Sequence, residues 1–175
     1  RGGARAVGWE EACQWQPGVP GEMLWVHLCR TVPGVRAWLM DALAIPEPTA
    51  ELLTSDATRP RAFREGEAMV ATLRGINFNP GTQPEDMVSI QLWCDGKRLV
   101  TLRRVPLQTP RDTCHQLDAG EGPGDAGALI TNLTEHLIER MGHSIADLNT
   151  AIDELEEGEV GEADEKMLSK ISRVR

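Results

Sequence analysis

Leu73-Arg74-Gly75-Ile76-Asn77-Phe78-Asn79-Pro80-Gly81-Thr82-Gln83-Pro84-Glu85-Asp86-Met87-Val88-Ser89-Ile90-Gln91-Leu92-Trp93 is the stretch that decides the fold of this 175-residue chain. Its first residues end a strand candidate spanning Ala68 to Leu73, and its centre is a polar turn rich in Gly and Pro. Its last residues, Met87 to Trp93, form a second strand in which Val88, Ile90 and Leu92 point one way while Met87, Ser89, Gln91 and Trp93 point the other. One face is wholly apolar and the other partly polar, so at least one side of the strand is covered. The pair Asp95-Gly96 follows directly, the strongest short hairpin pattern known, with a two-residue, positive-φ turn. It predicts an antiparallel hairpin with a third strand, Arg98 to Val105.

Outward from this centre the pattern alternates. Leu24 to Leu28 is a short apolar run suited to a buried strand. Val35 to Leu43 has helical spacing between Pro33-Gly34 and Pro46, and Glu47 to Ser55 reads as a short helix whose Pro48 sits where a missing N–H costs little. Pro106 to Asp118 is a polar helical pattern, and Gly120 to Gly127 breaks it. Beyond the break, Leu129, Leu133, Leu137, Met141, Ile145, Leu148, Ile152 and Leu155 recur at intervals of three or four, the stripe of a single long helix. After Gly158 and Gly161, Ala163 to Val174 predicts a second helix folding back as a hairpin. The expected organisation is an α/β unit over residues 1–125, followed over 126–175 by a long amphipathic helix and an acidic helical hairpin. Trp25, Trp38 and Trp93 are expected in the core.

Composition narrows the function. With 41% hydrophobic and 26% charged residues the chain is ordinary globular material. A net charge of -9 argues against nucleic acid as a partner, because that affinity comes from Lys and Arg neutralising phosphates. Cys13, Cys29, Cys94 and Cys114 have neither C-x-x-C spacing nor a disulfide-framework pattern, so reduced thiols are expected. No run of eighteen apolar residues is present. The start at Arg1 and the helical pattern running to Arg175 read as part of something longer.

The candidate chemistry lies late in the chain. Asp153, Glu154, Glu156, Glu157, Glu159, Glu162, Asp164 and Glu165 form a dense acidic run. Carboxylate oxygens are what hard divalent cations bind, and the run also suits a solvated turn between helices. His136 and His143 lie seven residues, or roughly 10 Å, apart along one helix, too far to share one ion. Each could pair locally, His136 with Glu139 or His143 with Asp147, leaving a site for another subunit to complete. Gly122-Pro123-Gly124-Asp125-Ala126-Gly127 is a literal G-x-G-x-x-G, but no buried strand precedes it and Pro123 removes a donor. A tight turn, with Asp125 capping the long helix, is the expected role. Cys114-His115 are adjacent helix positions about 100° apart and make poor dyad geometry. No catalytic pattern is present, and the chain is expected not to be an enzyme.

Five pieces in order, Trp25-Val26-His27-Leu28, Trp38-Leu39, Thr58-Arg59-Pro60-Arg61, the Leu73–Trp93 stretch and Gly120-Glu121-Gly122-Pro123, resemble the cytoplasmic domain of ZntB-like zinc transporters in the CorA family of divalent-metal transporters. The resemblance covers most of residues 9 to 157. It implies a three-layer α/β/α sandwich with a mixed sheet, on the cytoplasmic side of a bacterial inner membrane. It also implies a homopentamer in the full-length protein and membrane contact only through a C-terminal part not included here. Zn²⁺, or Mg²⁺ and other divalent cations, would be the transported or regulatory ion, attracted by Asp153, Glu154, Glu156, Glu157 and Glu159, with His136 and His143 as further metal candidates. Zinc over magnesium rests on Arg59-Pro60-Arg61, Leu73-Arg74-Gly75-Ile76-Asn77 and Asp86-Met87-Val88-Ser89; carboxylates alone favour magnesium. The rival reading is a free-standing soluble module whose long helix binds a partner helix.

Overall fold

The computed structural model describes residues 3–82 and 86–157, except for the side chains at 147, 148, 151 and 154–157. Two compact units divide the chain, Arg1–Leu137 and Ile138–Arg175. The first holds a five-stranded sheet in the order β1-β5-β4-β3-β2, built from β1 (Leu24–Cys29), β2 (Arg61–Glu65), β3 (Ala68–Gly75), β4 (Val88–Cys94) and β5 (Arg98–Arg103). β1 runs parallel to β5 and the other pairings are antiparallel, so the sheet is mixed. The helices are α1 (Trp9–Gln14), α2 (Val35–Leu43), α3 (Glu47–Thr54), α4 (Gln108–Asp118) and α5 (Ala126–Glu157).

Strand alternation sends side chains to two helical layers. On one face Val70, Trp93, Val100 and Leu102 meet Val35 and Leu39 of α2 and Ala50 and Leu53 of α3. On the other, Ala71, Leu92, Cys94 and Leu99 meet Ala126, Leu129 and Leu133 of α5. Val88 and Ile90 close the second layer with Leu107 and Leu137. This is the expected α/β/α sandwich. Trp93 is buried as expected, whereas Trp25 and Trp38 are only half-buried. Trp38 is covered in part by Trp9 of α1, whose ring centroid lies 5.1 Å away.

The structure adds two elements and moves one turn. β2 escapes the sequence pattern because Arg61-Ala62-Phe63-Arg64-Glu65 carries three charges and lacks apolar alternation. It forms because Gly66, at φ +60°, turns the chain back so that Glu65 pairs with Ala68. α1 is a six-residue helix with no buried residue, too short and too exposed to leave a periodic trace. The β4–β5 hairpin forms as expected, but its turn is one residue later: the Asp95 N–H bonds to the Arg98 carbonyl at 3.2 Å, leaving Gly96 and Lys97 as the central pair. Only Gly96 takes a positive φ (+89°), and Asp95 holds the turn by accepting from the backbone N–H of Lys97 and Arg98.

Gly75 answers why the opening stretch contains a glycine in its first strand. A Cβ there would lie 2.8 Å from Leu137 Cδ2, so the side-chain-free position lets α5 approach β3. α5 begins where Asp125 predicts, its carboxylate accepting from the Ala128 N–H at 2.8 Å. Among the described residues no helix is long and apolar enough to cross a membrane.

Candidate functional site

The metal candidates fall in different places. His136 belongs to the Arg1–Leu137 unit and is half-buried, with its Nδ1 buried and without a hydrogen-bond partner. His143 and Asp153 are exposed positions of α5 in the Ile138–Arg175 unit. The side chains of Glu154, Glu156 and Glu157 lie outside the described residues, as does Glu159 altogether, and so does the expected second helix. Among the described residues no three His, Cys, Asp or Glu side chains converge on a point that could hold a metal ion. Two carboxylates, Glu121 and Glu135, do line an open groove of about 430 Å³ between α4 and the first turns of α5. Beside it Thr113 donates to Asn132 Oδ1 at 3.0 Å, and Asn132 donates to Gln116 Oε1 at 3.1 Å, fastening the two helices.

Polar clusters that no local pattern announces sit around β1. Trp25 Nε1 donates to Thr101 Oγ1 at 2.8 Å, and His27 Nδ1 lies 2.8 Å from the same oxygen. An indole N–H can only donate, so the single threonine proton goes either to His27 or to the Val26 carbonyl at 3.4 Å. The shorter contact assigns it to His27, with the imidazole neutral and protonated at Nε2. Burial, and then the charge of Arg103, push the His27 pKa down to about 4, in agreement with a neutral imidazole. The arrangement anchors β1 to β5, and the Arg103 charge opposes a cation there. Thr101 lies 74 residues from His27, so only the β1–β5 pairing could reveal the contact.

Where β1 ends, Arg30, nearly fully buried, donates to the Thr54 carbonyl at 3.1 Å and to Asp56 at 2.7 Å. Arg104 reaches the same carboxylate at 2.9 Å. The bond from Arg30 and the charges of both arginines hold the Asp56 carboxyl below its usual range. The polar turn of the opening stretch is also built: Asn77 accepts from the Asn79 N–H at 3.1 Å, Asn79 Nδ2 donates to the Pro106 carbonyl at 3.0 Å, and Thr82 donates to the Asn79 carbonyl at 2.6 Å. These bonds tie the β3–β4 connection to the segment leading into α4. They are structural fastenings and supply no nucleophile.

Two helical layers on a mixed five-stranded sheet, one layer supplied by the first turns of α5, have counterparts among known proteins. The sequence profile of CorA-like Mg2+ transporter proteins matches residues 20–175, and the chain belongs to that family. The divalent cation transporter CmaX of Pseudomonas aeruginosa is 39% identical over 167 residues, covering 95% of this chain and 49% of that protein. The zinc transport protein ZntB of Pectobacterium atrosepticum is 32% identical over 133 residues, 76% of this chain and 41% of that one. Among solved structures, full-length CmaX superposes with a TM-score of 0.85 at 36% identity, covering all of this chain and 56% of that one. The ZntB cytoplasmic domain of Vibrio parahaemolyticus superposes with a TM-score of 0.72 at 29% identity, covering 85% and 59%. The chain is therefore a member of the CorA family, a family of metal-ion transporters and not of enzymes, and its fold is similar to that of the ZntB cytoplasmic domain. The chain spans about half the length of the curated relatives it matches.

Proposed function

We propose that this chain is the cytoplasmic portion of a divalent-cation transporter and contributes an acidic vestibule that gathers ions before they reach a membrane pore. The observation that carries the reading is the match over 95% of the chain to a divalent cation transporter, together with a shared fold. The chemistry is that of diffuse attraction: carboxylates packed along a short segment lower the local potential and raise the cation concentration without fixing a ligand set. Asp153, Glu154, Glu156, Glu157 and Glu159 would supply that field, with His136 and His143 adding nitrogen ligands that favour zinc over magnesium. In this reading residues 126–175 are the long amphipathic helix and acidic hairpin that follow the 1–125 core, the first turns of the helix packing onto that core. Regulatory metal sensing, the homopentamer and placement at the inner membrane on its cytoplasmic side go with it.

Zinc as the ion rests on the ZntB relatives; the CmaX relative is named for divalent cations at large. The test is ion uptake by the full-length protein in cells lacking other routes, with Zn²⁺ and Mg²⁺ offered separately. Uptake of Zn²⁺ that falls when Asp153, Glu154, Glu156, Glu157 and Glu159 are all changed to their amides supports the vestibule. Uptake indifferent to those changes removes it, and uptake of Mg²⁺ alone removes zinc.

A further inference from the structure

One row of side chains lies at the end of the sheet, two from β3 and β4 and two from the residues that directly follow β1 and β5, on the side where α2 and α3 pack. Arg74 of β3 is paired with Ser89 of β4. Ile90 pairs with Arg103, so Ser89 and Arg104 stand side by side one position further on. Cys29 also pairs with Arg103, so Arg30 follows next to Arg104. The order across the sheet is Arg30, Arg104, Ser89, Arg74, and at about 4.8 Å per strand it spans roughly 14 Å. The carboxylate of Asp56, bonded to both Arg30 and Arg104, confirms that these two share this face.

The row is under-neutralised. Three guanidiniums face one carboxylate, which leaves two positive charges. Arg74 has no ion-pair partner among the described residues, although it is half-buried and its Nε–H is buried without an acceptor. Arg30 Nε is likewise buried and unpartnered. Buried guanidinium donors left unmatched are costly, and the ligand that matches their forked geometry is a carboxylate or a phosphate. We infer that the Arg30–Arg104–Ser89–Arg74 row is a binding site for a phosphate-type oxyanion, held by the guanidiniums of Arg74 and Arg104 where they reach solvent beside the buried Ser89. A dianion balances the two surplus charges. Asp56, exposed and bonded to Arg104, competes for the same donors.

The inference is independent of which cation the family member moves, and it is tested on the full chain by titrating inorganic phosphate at low salt and following heat or ³¹P line width. Saturable binding is expected, weakened about tenfold or more by Arg74→Gln, which is about 1.4 kcal/mol or more of binding energy. Arg104→Gln, at an exposed side chain, should weaken it similarly and keeps the test alive if the Arg74 variant fails to fold. Asp56→Asn should tighten binding several-fold, the opposite of what loss of a merely structural ion pair would do. A parallel titration with AMP separates the sources: equal affinity assigns a free oxyanion, and markedly tighter AMP assigns the phosphate of a nucleotide. Absence of saturable binding to the wild-type chain, or affinity unchanged in both arginine variants, overturns the proposal.

Discussion

Val88, Ile90 and Leu92 leave β4 on one side and close against Leu107, Leu129, Leu133 and Leu137, a layer made of aliphatic carbon. Ser89, Gln91 and Trp93 leave the same strand on the other side, where Gln91 is paired with Thr72 and with Leu102 in the ladder and is fully buried with both amide atoms unpartnered. Both sides are covered by helices, yet around β4 only one is wholly aliphatic, and its polar groups, His27 and Thr101, are confined to the β1 edge. The difference teaches that coverage and polarity are set separately: the α5 side is closed by a periodic stripe, while the α3 side accepts polar groups at the end where arginines reach the surface.

The largest effect should come from opening the aliphatic side. Leu133 is fully buried, and Leu133→Ala should cost about 2–5 kcal/mol, read as a lower urea midpoint at unchanged slope. A cost near zero would mean that α5 does not close the core as described. Gly75→Ala attacks the same layer from the strand: the added methyl meets Leu137, and overpacking costs about 1–3 kcal/mol. Combining it with Leu137→Ala should recover part of that loss, whereas simple additivity would show that the two residues do not touch.

Acid should act on the β1 edge of the same layer. His27 has a folded-state pKa near 4 against 6.5 unperturbed, so between those values the unfolded chain binds the extra proton. Stability contributed by the neutral imidazole is complete above pH 6.5 and is lost as pH falls toward 4, at up to about 1.4 kcal/mol per pH unit. Melting temperature measured from pH 7 to pH 4 should fall less steeply in His27→Gln than in the wild type; parallel slopes would reject the assignment. The smallest effect belongs to the polar side. Gln91→Met keeps the side-chain length and removes two unmatched amide atoms, so it should be neutral or stabilising by about 1 kcal/mol or less. A loss of several kcal/mol would show that the amide has partners worth keeping.

These two sides also explain what the amino-acid order reveals. Leu129, Leu133 and Leu137 announce their helix because the aliphatic part of the layer is filled by one residue class at one period. The alternation of β4 and the hairpin at Asp95-Gly96 are legible for the same reason: the backbone pattern and turn chemistry are local. β2 is not, because an edge strand needs no apolar alternation and is defined by the partner it borrows across Gly66. Of the candidate metal residues, the sequence supplies type and spacing, while convergence depends on tertiary placement, and His136 and His143 turn out to belong to different units. The arginine row is invisible in one dimension because Arg30, Arg74 and Arg104 come from three segments joined only by register.

The parallel pairing of β1 with β5 sets an order of events at the ribosome. Trp25 is matched with Leu99, so Leu24–Cys29 has no strand partner until 74 further residues have been made. At about 5–20 residues per second that wait lasts roughly 4–15 s. An apolar, uncharged strand is thus among the first parts of the domain synthesised and among the last to be sheltered. Yield of the folded domain should depend on how the nascent chain protects Trp25 to Leu28 during that interval, a kinetic burden that an antiparallel meander would not carry.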